Sequence, residues 1–138
     1  MKNKIAIIGG AGFLGTRLSK RLIKSKQEIK VLDIDTISKD SNIIFFDIED
    51  PDQETLSGVD VLINLAAMHR DDIKPISRYD DVNVDGAKKI CDLASKKGIK
   101  KIIFTSSVAI YGFAPPNTDE SGDPNYFNDY GRTKYAAE

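Results

Sequence analysis

The stretch Ile5-Ala6-Ile7-Ile8-Gly9-Gly10-Ala11-Gly12-Phe13-Leu14-Gly15 decides the fold of this 138-residue chain. Four consecutive apolar residues mark a strand buried on both faces. Glycines follow with no spacer. They read as G-x-x-G-x-x-G through Gly9, Gly12 and Gly15, or as G-x-G-x-x-G through Gly10, Gly12 and Gly15. Leu14, Leu18, Leu22 and Ile23 then recur at helical spacing, with Arg17, Lys20, Arg21 and Lys24 on the polar side. A glycine turn between strand and helix lets a pyrophosphate approach the backbone. The helix N-terminus adds free N–H groups and the positive end of its dipole.

Such a turn predicts an acid at the end of the next strand. Glu28 to Asp33 reads as that strand, and Asp33 lies 18 residues beyond Gly15. A carboxylate there accepts from both hydroxyls of an adenosine ribose and repels a 2′-phosphate. Ile34 follows, with no arginine or lysine before Lys39. This favours NAD over NADP. Asp35 is the alternative if the strand ends later.

Strand and helix patterns alternate through the rest of the chain. Asn42 to Phe46 reads as a third strand ending at Asp47-Ile48, and Glu49 to Ser57 leaves room for a short helix. Val59 to Ala67 reads as a fourth strand, and His69 to Asp81, broken by Pro75, as a loop. Val84 to Lys97 reads as a helix closed by Gly98. Its apolar face is Ala87, Ile90, Cys91 and Ala94, so Cys91 is expected in the core. Lys101 to Thr105 reads as a fifth strand and Val108 to Pro124 as loop. A last helix runs from Asn128, capped by Asn128 or Asp129. The alternation predicts an α/β fold, a doubly wound parallel sheet of about five strands in order 3-2-1-4-5.

Composition bounds the function classes. Hydrophobic residues make up 41% and charged residues 30%, an ordinary globular balance in a single domain. A formal net charge of −1 argues against electrostatic capture of nucleic acid. No apolar run approaches the ~20 residues of a membrane span, so no membrane partner is expected. Met1-Lys2-Asn3-Lys4 leads directly into a strand, with no signal-peptide core. One cysteine excludes an internal disulfide and points to a reducing, cytoplasmic setting. His69 is the only histidine, which leaves no cluster for a metal; a loop role suits it better than catalysis.

The last helix carries the chemistry. In Tyr130-Gly131-Arg132-Thr133-Lys134 a phenol and an ammonium stand at i and i+4, on one helical face. The ammonium favours the phenolate, and a phenol so tuned can take a proton from an alcohol near neutral pH. Ser106 and Ser107 end the fifth strand, where open α/β sheets bind ligands. They read as turn formers on their own and as hydroxyl donors once Tyr130 is considered. Asn83 is open between a helix cap and a substrate or backbone role.

Six motifs now stand in order, and together the chain resembles the N-terminal part of the extended short-chain dehydrogenase/reductases, the NAD-dependent epimerase/dehydratase family. They are Gly9 to Gly15, Asp47-Ile48, Leu65-Ala66-Ala67, Asn83-Val84-Asp85-Gly86, Thr105-Ser106-Ser107 with Tyr111-Gly112, and Tyr130 with Lys134. The resemblance implies a Rossmann-type domain over residues 1–138. It implies NAD held by Gly9, Gly12, Phe13, Leu14, Gly15, Asp33, Asp47, Ile48, Leu65, Ala66, Ala67, Tyr130 and Lys134. Asp47-Ile48 would touch adenine, and Leu65 to Ala67 would line the cofactor's middle. Ser107, Tyr130 and Lys134 would be catalytic: Ser107 holding a substrate hydroxyl, Tyr130 the general base, Lys134 lowering its pKa and binding nicotinamide ribose. The implied reaction is 4-epimerisation of a nucleotide-sugar through a keto intermediate. A nucleotide-sugar reductase or dehydrogenase, or a non-catalytic dinucleotide-binding module, is the alternative. Val108-Ala109 stand where the family's sugar dehydratases carry an acid pair, which argues against water elimination. Family members continue beyond this point with a substrate-binding lobe. The chain is therefore expected to be truncated before that lobe, to need it for turnover, and to pair as a homodimer.

Overall fold

The computed structural model describes residues 3–37 and 42–138. Met1, Lys2 and Lys39, weighed above, lie outside the described residues. The strands are β1 (Lys4–Ile8), β2 (Glu28–Asp33), β3 (Ile43–Phe45), β4 (Val61–Asn64) and β5 (Lys101–Phe104). They form one parallel sheet in the order β3-β2-β1-β4-β5. Ile8 pairs with Leu32 on one side and Asn64 on the other, and Asn64 pairs with Phe104. The C-terminal ends of β1, β2, β4 and β5 thus fall on one edge, the edge where such sheets bind ligands. This is the Rossmann-type half-sheet that the alternation predicts.

Successive side chains of β1 point to opposite faces, and each face has its own core. Ile5 and Ile7 join Ile63 under Leu18 and Leu22 of α1 (Phe13–Lys24). Ala6 and Ile8 join Leu32, Phe46, Leu62, Ile90 and Leu93 on the opposite face. The helices over that second face are α2 (Ser77–Tyr79), a π-helical segment Asp80–Gly86, and α3 (Ala87–Lys97). Gly98, with φ 68°, ends α3 in the left-handed cap expected of it.

Four boundaries differ from the sequence reading. The fourth strand stops at Asn64, because the Asn64 Oδ1 accepts from the Ala66 N–H and turns the chain out of the ladder. The fifth strand stops at Phe104. Helix begins at Ser77, inside the stretch read as loop, because the π-helical segment breaks the 3.6-residue period and hides the apolar face of Tyr79 and Val82. A 3₁₀ turn, Val108–Ile110, interrupts the predicted loop after β5. Cys91 is also corrected: it is exposed, and Leu93 fills the core beside Ile90 and Ala94. Cys91 stands ~100° around the helix from Ile90, outside the arc that faces the sheet.

Candidate active site

The glycine turn is built by close approach. Gly9 has φ 77°, and a Cβ there would lie 2.7 Å from the Ala66 nitrogen. A Cβ on Gly15 would lie 2.4 Å from the Gly9 carbonyl oxygen, so only glycine lets α1 start against the turn. Gly12 differs: a Cβ there would press on the Gly9 oxygen alone, at 3.3 Å, and the residue lines open space beyond it. It caps α1 with no side-chain hydrogen bond, which leaves the helix N-terminus available to an anion.

That space is a cleft of about 410 Å³ along the C-terminal edge of the sheet, a size typical of small-molecule sites. Gly9, Gly12, Phe13, Leu14 and Gly15 form one wall. Asp33 and Asp35 stand at one end with Asp47 and Ile48. Leu65 and Ala66, packed against Gly9, line the cleft with Ala67, and the lining continues through Met68 and His69. The Asp33 Oδ2 accepts from the Ala11 N–H at 2.8 Å and its Oδ1 from the Asp35 N–H at 3.0 Å. Each oxygen keeps a lone pair for a hydroxyl. A glycine cradle, a bare helix N-terminus and a carboxylate at one end are the donor set that a dinucleotide requires.

Ser107, Tyr130 and Lys134 lie outside this cleft, past its Leu65–Met68 wall. Ser107 is extended, and its Oγ accepts from the Ala109 N–H at 3.1 Å, starting the 3₁₀ turn after β5. The hydroxyl proton is left to donate. The last helix, α4 (Asp129–Ala136), is capped by Asn128, whose Oδ1 accepts from the Gly131 N–H at 2.8 Å. It packs on the 3₁₀ turn so closely that a Cβ on Gly131 would lie 2.4 Å from the Ala109 oxygen. Tyr130 and Lys134 share one face of α4. Lys134 is 2% exposed, with its Nζ 4.0 Å from the Phe104 ring centroid at the end of β5. Burial lowers its pKa to about 8, against a weaker upward pull from Glu138. The ammonium therefore persists at neutral pH but sits close to its titration.

Asn83 joins the two regions. It is 3% exposed; its Oδ1 accepts from the Met68 N–H at 2.7 Å, and its Nδ2 donates to the Met68 carbonyl at 2.9 Å and to Thr133 Oγ1 at 3.0 Å. The cleft wall and the helix of Tyr130 and Lys134 thus hang on one amide, which is the backbone role rather than a cap. Two outer ties reinforce it: Arg132 forks onto Asp80, and Asn128 donates to Asp71. The Arg132 guanidinium holds the Asp80 carboxyl below its ordinary value.

Sequence reasoning missed Glu49 and Arg78 in the cleft. Arg78 makes two 2.6 Å hydrogen bonds to Glu49, which hold the Glu49 carboxyl below its ordinary value. Arg78 lay in the stretch read as loop, and an ion pair 29 residues apart has no local signature.

The NAD dependent epimerase/dehydratase family profile matches residues 5–138. The chain belongs to that family. It is 41% identical over 141 residues to the N-acetyl-alpha-D-glucosaminyl-diphospho-ditrans,octacis-undecaprenol 4-epimerase of Escherichia coli O157:H7, covering 100% of this chain and 42% of that protein. It is 31% identical to UDP-glucose 4-epimerase of Lacticaseibacillus casei, over 97% of this chain and 44% of that protein. The crystal structure of UDP-glucose 4-epimerase from Brucella ovis in complex with NAD superposes with TM-score 0.85 and 28% identity, over 98% of this chain and 45% of that one. This epimerase/dehydratase chain thus spans under half the length of these relatives. No helix among its described residues is long and apolar enough to cross a membrane.

Proposed function

We propose that this chain is the NAD-binding part of a 4-epimerase acting on a hexose held by a diphosphate. The observation that carries the reading is the shared support of cleft and catalytic helix: Asn83 ties Met68 of the cleft wall to Thr133, next to Lys134. Gly9, Gly12, Phe13, Leu14 and Gly15 would hold the pyrophosphate, Asp33 the adenosine ribose, and Asp47 with Ile48 the adenine. Leu65, Ala66 and Ala67 would line the middle of the cofactor. Bound NAD supplies reversible hydride chemistry at the sugar carbon.

The residues of this chain do the rest. Ser107 would donate to the sugar oxygen and hold it. Tyr130 would take the hydroxyl proton as the carbinol is oxidised, and return it after the keto sugar has turned. Lys134, one turn further along the same face of α4, would support Tyr130 as the base and bind the nicotinamide ribose. The relatives act on a UDP-linked or an undecaprenol-diphosphate-linked sugar, so the shared handle is the diphosphate. The same reading makes the enzyme cytoplasmic and homodimeric, with the sugar bound by sequence corresponding to the rest of the relatives' length.

The test is Tyr130→Phe in the whole protein. NAD affinity should stay within about twofold, while 4-epimer formation, followed by proton NMR of UDP-N-acetylglucosamine and of a polyprenyl-diphosphate sugar, should fall by about 10²-fold or more. Turnover surviving in the variant removes Tyr130 as the base.

A further inference from the structure

The outward face of α1 is a strongly charged surface that the cleft chemistry does not use. Arg17, Lys20, Arg21 and Lys24 are all exposed there. At helical spacing they fall within about 100° of arc. The helix contains no acidic residue. The arginines Arg70, Arg78 and Arg132, by contrast, each fork onto a carboxylate. None of the four on α1 enters an ion pair among the described residues. The acids near the helix start are occupied otherwise, since Asp33 accepts from the Ala11 and Asp35 N–H groups.

Apolar side chains stand on the same helix. Phe13 is 77% exposed, with the Arg17 guanidinium 3.6 Å from its ring centroid, and Ile23 is 57% exposed. Unmatched cations interleaved with bare apolar side chains fit a surface that offers both phosphate and hydrocarbon. A nucleic-acid backbone offers only the first.

We propose that this face of α1 docks the protein on an anionic lipid bilayer. The cations meet the lipid phosphates, and Phe13 and Ile23 reach the headgroup boundary. Phe13 also begins the cleft wall, so docking brings the mouth of the cleft to the membrane surface. This deepens the epimerase reading by choosing between its two substrate handles. A polyprenol-linked sugar is confined to the bilayer, and an enzyme held there meets it by diffusion in two dimensions. Membrane docking leans on that reading for its purpose but not for its chemistry.

The experiment is co-sedimentation of the purified protein with vesicles of phosphatidylglycerol in phosphatidylcholine, and of phosphatidylcholine alone, with NAD titrated on the same samples. The protein should bind the anionic vesicles and lose them at high salt. The triple variant Lys20→Gln, Arg21→Gln, Lys24→Gln should bind about a hundredfold more weakly. Its NAD affinity should not change, which shows that it folds. The matched control Lys88→Gln, Lys96→Gln, Lys100→Gln on the opposite side should bind as the parent does. No binding to anionic vesicles overturns the proposal, as does equal loss in the control or retention on duplex DNA without vesicle binding. NAD binding without vesicle binding removes the docking surface and leaves the epimerase reading intact. Vesicle binding without NAD binding does the reverse.

Discussion

Lys134 shows what burying one ammonium costs. Burial lowers its pKa to about 8 from the model-peptide value of 10.5. The unfolded chain therefore holds the proton more tightly than the native one. Below pH 8 the full cost of the buried ammonium is present. As pH rises from 8 to 10.5 the native state loses the proton first and the cost disappears. The span corresponds to roughly 3 kcal/mol. Lys134→Met should thus stabilise the protein at pH 7 by up to about 3 kcal/mol and near pH 10.5 hardly at all. Urea melts of both proteins at the two pH values read this directly; an equal gain at both would mean that the ammonium is not desolvated. Asn83 is the opposite case, a buried polar residue whose every bond is made. Asn83→Asp keeps the acceptor for the Met68 N–H but loses both donors, and it places a charge at a site 3% exposed. A loss of about 3 kcal/mol or more in thermal or urea unfolding is expected. A change under 1 kcal/mol would show that the amide does not tie Met68 to Thr133.

Among the elements, the decisive contact is α4 on the 3₁₀ turn after β5. Glycine inside a helix ordinarily costs about 1 kcal/mol relative to alanine, so Gly131→Ala would stabilise an isolated α4. Here the new Cβ would stand 2.4 Å from the Ala109 oxygen and 2.9 Å from the Tyr126 Cβ. Backbone must move to admit it, at a cost of about 1–3 kcal/mol. The steric term wins, and α4 should lift away from Ser107. The expected result is a lower melting temperature together with weaker turnover in the whole protein. A stabilised variant would mean that Tyr130 and Ser107 are not held by this packing. Elements also show where sequence is legible. The apolar run before the glycines, the acid 18 residues beyond Gly15 and the Tyr-x-x-x-Lys spacing are local patterns, and each could be read directly. The helix start at Ser77 could not, because the π-helical segment shifts the apolar register and Pro75 stands just before it. The Glu49–Arg78 fork and the Asn83 amide join residues 29 and 15 apart or more, and only folding brings them together.

For the whole molecule, the sheet and its two cores leave one edge to carry the function. β1, β2 and β4 meet the cleft with their C-terminal ends, so a dinucleotide lying there touches segments far apart in sequence: Gly9 to Gly15, Asp33, Asp47 and Leu65 to Ala67. A ligand that bridges four segments of the native state and none of the unfolded chain must raise global stability. At a hundredfold excess over its Kd, NAD should add about 2.7 kcal/mol. For a chain of this size that is on the order of a 10 °C rise in Tm. NADP should give far less, because its 2′-phosphate would meet the carboxylates of Asp33 and Asp35 at the end of the cleft. Asp33→Ala tests the cause. It removes the repulsion, but it also unties the Ala11 and Asp35 N–H groups, so the NAD shift should shrink while the gap between NAD and NADP narrows. Differential scanning fluorimetry of both proteins with both dinucleotides gives the four numbers needed. Equal shifts with NAD and NADP in the parent would show that the acids do not face the ribose. An unchanged gap in the variant would move the discrimination from Asp33 to Asp35.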